Sequence, residues 1–305
     1  ALEQQVGQEI RVLGEIIKEP EVSEQTNKLY VRTGAGTILV SADKYTTVAY
    51  GDAVIVQGTL KKPEAFDTEL GRTFNYPAYL LVREVEYQIS FAEITVESHG
   101  NGNAFLATLF SLKHTLMRSI ESVLQEPYAG LGQGLLLGVK QAIGEDLESA
   151  FRTSGIIHIV VLSGQNVMIV VTFILLLLSF FLAKRLRIIV GFGAVICFAL
   201  LVGLSATVVR ASIMATLLLF ADFIGRRYDL VRALLFAGVV MVFLNPYLLV
   251  YDVGFQLSFM ATLGLIIVVP IFESFITDGF AKLTVKDYLI STIATQIAVL
   301  PLLIY

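Results

Sequence analysis

Up to His99 the chain alternates apolar and polar positions; beyond Ile156 it runs into long apolar stretches. The alternating segments are I-R-V-L-G-E-I-I from Ile10, K-L-Y-V-R from Lys28, T-I-L-V-S from Thr37 and A-V-I-V-Q-G-T-L from Ala53. A period of two sends successive side chains to opposite faces, which is the signature of half-buried strands. Turn signals separate them at Glu19-Pro20, Gly34-Ala35-Gly36 and Gly51-Asp52. A polar, aromatic loop, A-F-D-T-E-L-G-R-T-F-N-Y-P-A-Y-L, comes next. Then L-L-V-R-E-V-E-Y-Q-I and F-A-E-I-T-V-E read as the closing strands. Short, evenly punctuated strands predict a small all-β barrel or sandwich over residues 1–98. The phrase G-D-A-V-I-V-Q-G-T-L suits a strand of an OB-type barrel.

Residues 99–127 read as a linker and an amphipathic helix. His99–Asn103, H-G-N-G-N, is hinge-like. After it Phe105, Leu109, Leu112, Leu116, Ile120 and Leu124 recur at three-to-four spacings. Such a helix either lies in a membrane surface or packs on a neighbouring domain. From residue 128 to 305 the pattern becomes a polytopic helical membrane domain. L-G-Q-G-L-L-L-G predicts a short helix and G-E-D-L-E-S-A-F-R a polar helical turn. Five complete spans follow, Val167–Ala183, Ile188–Leu204, Ala206–Ile224, Val231–Val250 and Gly254–Phe272, and a sixth starts at Tyr288. Each approaches the roughly 20 apolar residues that a helix needs to cross a bilayer. The fold class is therefore α+β, a small OB-like soluble domain followed by a multi-pass α-helical membrane domain.

Composition adds a division of charge. The chain is 55% hydrophobic and 16% charged. Residues 1–102 carry 9 Lys and Arg against 15 Asp and Glu, and the remainder 13 against 11. An acidic front domain argues against a purely electrostatic grip on nucleic acid. The basic loop residues are Lys184, Arg185 and Arg187, then Arg226 and Arg227, then Lys282 and Lys286. If each run crosses once, all fall on one side, and the loops near Ser205 and Asp252 show no such excess. The positive-inside rule then puts the basic side in the cytoplasm and the β domain outside. One cysteine, Cys197, excludes an internal disulfide. The first residues have no apolar core of a signal peptide, and the chain ends on P-L-L-I-Y within an apolar run. A piece of a longer protein is expected.

Polar residues inside apolar runs are the candidates for chemistry, since they are expensive in lipid and tend to face a cavity or a bundle interior. S-G-I-I-H-I-V-V-L-S-G-Q-N-V places His158, Ser163, Gly164 and Asn166 at the mouth of the first span. Gly155 and Gly164 bracket them, which predicts a broken or re-entrant helix lining a pathway. Arg210 and Asp222 lie in the third span, and Asp252 and Gln256, four apart, share a face at the start of the fifth. Arg210 either lines a polar path or pairs with Asp252 or a carbonyl to lock helices. Ser163 beside Gly164 also suits plain helix packing. With histidines only at 99, 114 and 158, no H-x-H or H-E-x-x-H motif and no cysteine pair, no metal site or other cofactor is expected. G-L-G-Q-G-L-L-L-G lacks the G-K-[ST] ending of a phosphate-binding loop. A Ser163–His158 intramembrane serine protease stays open as an alternative, because a nucleophile and a base are what that chemistry needs.

G-I-I-H-I-V-V-L-S-G-Q-N-V resembles the G-x-x-H-x-x-x-x-S-G-x-[HN]-V signature of the ComEC competence family, with Asn166 where its members most often have His. R-A-S-I-M at Arg210–Met214 and D-V-G-F-Q-L-S-F at Asp252–Phe259 resemble two further segments of that family. The loop F-D-T…F-N-Y-P-A-Y-L resembles the end of its OB-like domain. The resemblance implies an inner-membrane channel for single-stranded DNA in natural transformation, with the OB-like domain outside. It implies a DNA path along His158, Ser163, Gly164, Asn166, Arg210, Asp252, Gln256 and Ser258. Phe66, Phe74, Tyr76 and Tyr79 would dock DNA on the OB-like domain by stacking its bases. The implied partners are single-stranded DNA, the lipid bilayer, a DNA receptor, a cytoplasmic translocase and further copies of the chain. The family's metallo-β-lactamase-like nuclease lies outside these residues, so a channel rather than an enzyme is expected. A small-solute transporter with a β sensor domain is the alternative, although residues 156–224 and 231–305 show no repeat of the kind transporters carry.

Overall fold

The computed structural model describes residues 2–23, 26–67, 71, 73–154, 164–275 and 284–304. They divide into two compact units, Ala1–Asn166 with Cys197–Gly203, and Val167–Ile196 with Leu204–Tyr305.

The first unit is built on a closed barrel of five strands, β1 (Glu9–Ile16), β3 (Thr26–Thr33), β4 (Gly36–Asp43), β5 (Ala53–Lys61) and β8 (Val85–Ser90). The sheet runs β1-β3-β4-β8-β5 and closes where β5 pairs antiparallel with β1, Val56 opposite Val12. β4 and β8 are parallel, and the remaining pairs around the barrel are antiparallel. Two more strands extend the sheet, β2 (Glu21–Val22) on β3 and β9 (Glu93–Ser98) on β5. Alternation fills the interior: Ile16, Leu29, Val31, Ile38, Val40, Val54, Val56, Leu60 and Ile89 are all at most 1% exposed. The barrel is OB-like, as the periodicity predicts.

The expected aromatic loop carries structure of its own. Two short strands, β6 (Phe66–Asp67) and β7 (Thr73–Phe74), pair antiparallel, and a helix, α1 (Tyr76–Leu81), follows where the end of the loop and the start of a strand were expected. The Asn75 side chain caps the helix by accepting from the Ala78 amide, and Pro77 stands in the first turn. Capping of this kind satisfies amides that the helix itself leaves unpaired. Burial of Ala78 and Leu80 fixes the helix on the barrel, so β8 starts at Val85 rather than Leu80.

The hinge-like linker is laced to the barrel instead. The Asn101 amide donates to the Gly51 carbonyl at 2.7 Å, and the Asn103 amide to the Tyr50 hydroxyl at 3.2 Å. His99 Nδ1 lies 2.9 Å from the buried Asp52 carboxylate. Gly51 adopts φ +81°, and a Cβ there would meet the Gly102 amide nitrogen at 2.6 Å. α2 (Ala104–Val123) then packs in this unit through Leu109 and Lys113, with Phe110 edge-on to Tyr50. Lys113 Nζ donates to Glu19 at 2.5 Å. The face that packs therefore turns away from the expected stripe, and Phe105, Leu112 and Leu116 of that stripe stay exposed. α3 (Tyr128–Leu137) and α4 (Glu145–Thr153) follow as predicted.

The second unit is helical. α5 (Gly164–Ser179) begins in the first unit and continues into the second, α6 (Lys184–Val202) starts in the second and from Cys197 belongs to the first, and α7 (Ala206–Phe223) and α8 (Leu230–Leu244) come after it. α9 (Tyr247–Tyr251), α10 (Val253–Phe275) and α11 (Thr284–Ile304) complete the described chain. α6, α7 and α10 are long and apolar enough to span a membrane, whereas α5, α8 and α11 offer shorter apolar segments among the described residues. The expected fourth span is broken. α8 stops at Leu244 because Asn245-Pro246 cannot continue its hydrogen bonds, and a separate turn, α9, takes residues 247–251. Small residues let α10 and α11 approach closely, since a Cβ on Gly264 would lie 2.6 Å from that of Ala298.

Candidate functional site

The four aromatics singled out on the barrel come together. The β6–β7 hairpin sets Phe66 opposite Phe74, and α1 presents Tyr76 and Tyr79, three apart, on one face. Ring centroids are 5.4 Å apart for Phe66–Phe74, 5.7 Å for Phe74–Tyr79 and 6.0 Å for Tyr76–Tyr79, the last pair with planes 17° apart. Tyr76 rests on the cluster of Tyr30, Leu39, Leu80 and Val85, while Phe66 and Tyr79 are exposed.

Two cations that the sequence reading did not single out border these rings. The Arg83 guanidinium lies 3.7 Å from the Tyr79 centroid, and its Nη1 donates to the Tyr79 carbonyl at 2.9 Å. Lys18 Nζ lies 4.1 Å from the Tyr30 centroid. Neither makes an ion pair among the described residues. Desolvation, then the charge of Arg83, holds the Lys18 ammonium below the usual lysine range. Burial raises both Tyr30 and Tyr76 above the ordinary phenol value. The patch thus presents tyrosine rings that burial keeps neutral, bordered by the Lys18 and Arg83 side chains. The four-residue step from Tyr79 to Arg83 was the available sequence signal, obscured by reading residues 80–84 as strand.

In the helical unit Arg210 is the centre of a second constellation. It projects from α7 onto α10, where its Nε donates to Ser258 Oγ at 2.7 Å and its Nη1 to Thr262 Oγ1 at 2.8 Å. The Thr262 hydroxyl in turn donates to the Ser258 carbonyl at 2.9 Å. The Phe259 ring lies 5.9 Å from the guanidinium, and Met214 Sδ 3.5 Å from Nη1. No carboxylate pairs with Arg210 among the described residues. Thr262 and Phe259 were not predicted; Thr262 stands one helical turn past Ser258, which was the legible sign.

Other expected path residues are placed differently. Asp252 Oδ1 accepts from the Phe255 amide at 2.7 Å and caps the start of α10. Gln256 Nε2 donates to the carbonyls of Leu249 and Val250 at 3.0 and 3.1 Å, tying α9 to α10. Asp252 does not pair with Arg210. Within the first unit Asn166 Nδ2 donates to the Leu135 carbonyl at 3.3 Å, in the last turn of α3. Gly164 opens α5, while His158 and Ser163 lie outside the described residues. Among the described residues no cluster of three His, Cys, Asp or Glu has a geometry that suits a metal ion.

Comparison with known proteins then settles the family. The family model described as "Competence protein" matches residues 135–305. The chain belongs to the competence protein family. It is similar to "ComE operon protein 3" of Bacillus subtilis (strain 168), 26% identical over 251 residues, 81% of this chain and 31% of that protein. It is also similar to an "Uncharacterized protein" of Aquifex aeolicus (strain VF5), 32% identical over 154 residues, 50% of this chain and 36% of that one. The chain spans about a third of the length of these relatives. Three of its described helices have the length and composition to span a membrane, which fits a membrane protein of this family.

Proposed function

We propose that this chain forms the part of an inner-membrane channel through which single-stranded DNA enters during natural transformation. Arg210 carries the reading. A charge at the centre of a span costs roughly 2.5–3.5 kcal/mol on insertion scales, and less toward an end; Arg210, in the second turn of α7, is balanced by two hydroxyls rather than by an acid. A phosphate passing between α7 and α10 supplies the missing negative charge, and the hydroxyls of Ser258 and Thr262 rearrange around it without breaking an ion pair. His158, Ser163, Gly164, Asn166, Asp252 and Gln256 complete the polar path on this reading.

The barrel aromatics receive the strand first. Phe66, Phe74, Tyr76 and Tyr79 offer faces to bases, and Arg83 and Lys18 contact the backbone, a combination that suits single strands of any sequence. Residues 1–98 are then the extracytoplasmic OB-like domain, 99–127 its connection, and 128–305 the channel domain. The chain acts as a channel and not as an enzyme, alongside a DNA receptor, a cytoplasmic translocase and further copies of itself.

The test follows labelled DNA into a channel-deficient competent strain complemented with the full-length gene carrying Arg210→Ala or His158→Ala. Surface-bound DNA is expected to persist while internalised strands vanish at equal membrane abundance. Normal entry in both variants would make these residues helix glue and end the proposal.

A further inference from the structure

The ends of α5, α6 and α7 enclose a groove that the DNA path leaves unused. It holds about 290 Å³ and is lined by Thr172, Leu175, Leu176 and Ser179 of α5, Arg187 and Ile188 of α6, and Leu219 and Asp222 of α7. Leucines from two helices meet at its floor. A Cβ on Gly191 would lie 2.6 Å from Leu175 Cδ2 and 3.4 Å from Leu219 Cδ1, so Gly191 faces both side chains. Arg187 is one turn before Gly191 and therefore shares its face of the helix.

Charge in this groove is unbalanced. Asp222 is its only acid, and Lys184 Nζ donates to Asp222 Oδ1 at 2.6 Å. Arg187 is half-buried and makes no ion pair among the described residues. Gly225 closes α7 with the Arg226 amide donating to the Ala221 carbonyl, and Arg226 and Arg227 follow directly. Arg185, Arg226 and Arg227 are exposed and form no ion pair among the described residues either. The walls are apolar, and the groove opens outward: Leu176 is 55% exposed, and Phe173, Phe180 and Phe181 beside it are more exposed still. An occupant must bring a negative charge to Arg187 and an aliphatic chain to Leu175, Leu176 and Ile188.

We infer that this groove is a binding site for an anionic phospholipid, its phosphate on Arg187 and Ser179 and one acyl chain between α5 and α6. Basic pockets between spanning helices select anionic headgroups in this way. The exposed phenylalanines favour lipid over a nucleic-acid strand, because a strand needs a polar lane whereas this opening is hydrocarbon. Lys184–Asp222 positions the site by withdrawing the acid from Arg187.

The chain contains no Trp, so Leu176→Trp introduces a single reporter in these 305 residues, expressed and purified as such. Purified protein is titrated in mixed micelles with brominated phosphatidylglycerol or brominated phosphatidylcholine, and quenching gives the relative affinity. Roughly fivefold preference for phosphatidylglycerol is expected, the scale of one basic residue near an anionic surface. Arg187→Gln should bring the ratio to about one, Arg187→Lys should keep it, and Arg185→Gln should leave it unchanged. Equal quenching by the two lipids in the parent, or a preference that survives Arg187→Gln, would overturn the site. Relief of quenching by a single-stranded oligonucleotide would overturn it too, giving Arg187 to nucleic acid.

Discussion

Each unit holds a largely buried cation that joins a helix to its neighbour, and the two are neutralised differently. In the barrel unit Lys113 of α2 reaches Glu19 at 2.5 Å, and His114 Nε2 lies 3.3 Å from the other oxygen of the same carboxylate. In the helical unit Arg210 of α7 reaches only hydroxyls, a sulfur and a ring. An ion pair closes a site, since the two charges leave little field for a third. A cation on neutral oxygens keeps its field and is open to an anion. Lys113 is therefore a fastener and Arg210 a candidate contact, although both were ordinary basic residues in apolar surroundings before folding.

Predictions that separate these roles begin with the largest effect. Gly51→Ala combines a positive φ with a Cβ 2.6 Å from the Gly102 amide nitrogen, and should destabilise the barrel by roughly 2–5 kcal/mol. Thermal melts monitored by limited proteolysis of the full chain would show it. A wild-type melt would mean that the linker is not laced as described. Next, Lys113→Ala leaves the Glu19 carboxylate, whose side chain is 21% exposed, with His114 as its partner among the described residues. Its effect should be about 2–3 kcal/mol, between the buried and the surface cases. The same melts measure it, and Glu19→Gln combined with Lys113→Met should recover most of the loss.

Arg210→Ala should by contrast cost the helical unit less than about 1.5 kcal/mol, because Thr262 already donates to the Ser258 carbonyl and Ser258 is left only one bond short. Thermal stability in detergent should stay close to wild type while DNA entry is lost. A collapse of stability there would make Arg210 a second fastener and erase the contrast.

The smallest effect is confined to alkaline pH. Burial raises Tyr30 above the ordinary phenol value in the folded barrel. Above the unfolded pKa of about 10 the unfolded chain loses this proton while the folded chain keeps it, so stability falls as pH rises. Below that pH the contribution is fully present. Tyr30→Phe should reduce this slope in melts between about pH 9 and 11, leaving the smaller part due to Tyr76, and an unchanged slope would assign the alkaline loss to another group.

Much of the architecture was legible because it is repetitive. Strand and span patterns are local periodicities, and residues such as Val54, Val56 and Leu60 announce an interior whichever strand lies opposite. Resemblance on four short segments pointed to the family before any coordinates, and the aromatic run from Phe66 to Tyr79 marked a surface that does assemble. Local pattern failed where a single contact outweighed it. The Asn75 cap with Pro77 turned residues 76–81 into helix, and Asn245-Pro246 divided an apolar run of spanning length.

The sequence by itself determined the periodicities, the acidic front and basic loops, and the identity of the few polar residues in apolar runs. Tertiary structure alone decided their partners. It gave Asp252 to a helix cap rather than to Arg210, Asn166 to a carbonyl of α3, and Glu19 to Lys113 across 94 positions of chain. Charge is a property of a residue, but whether that charge is spent or available depends on the one or two atoms that folding brings within about 3 Å.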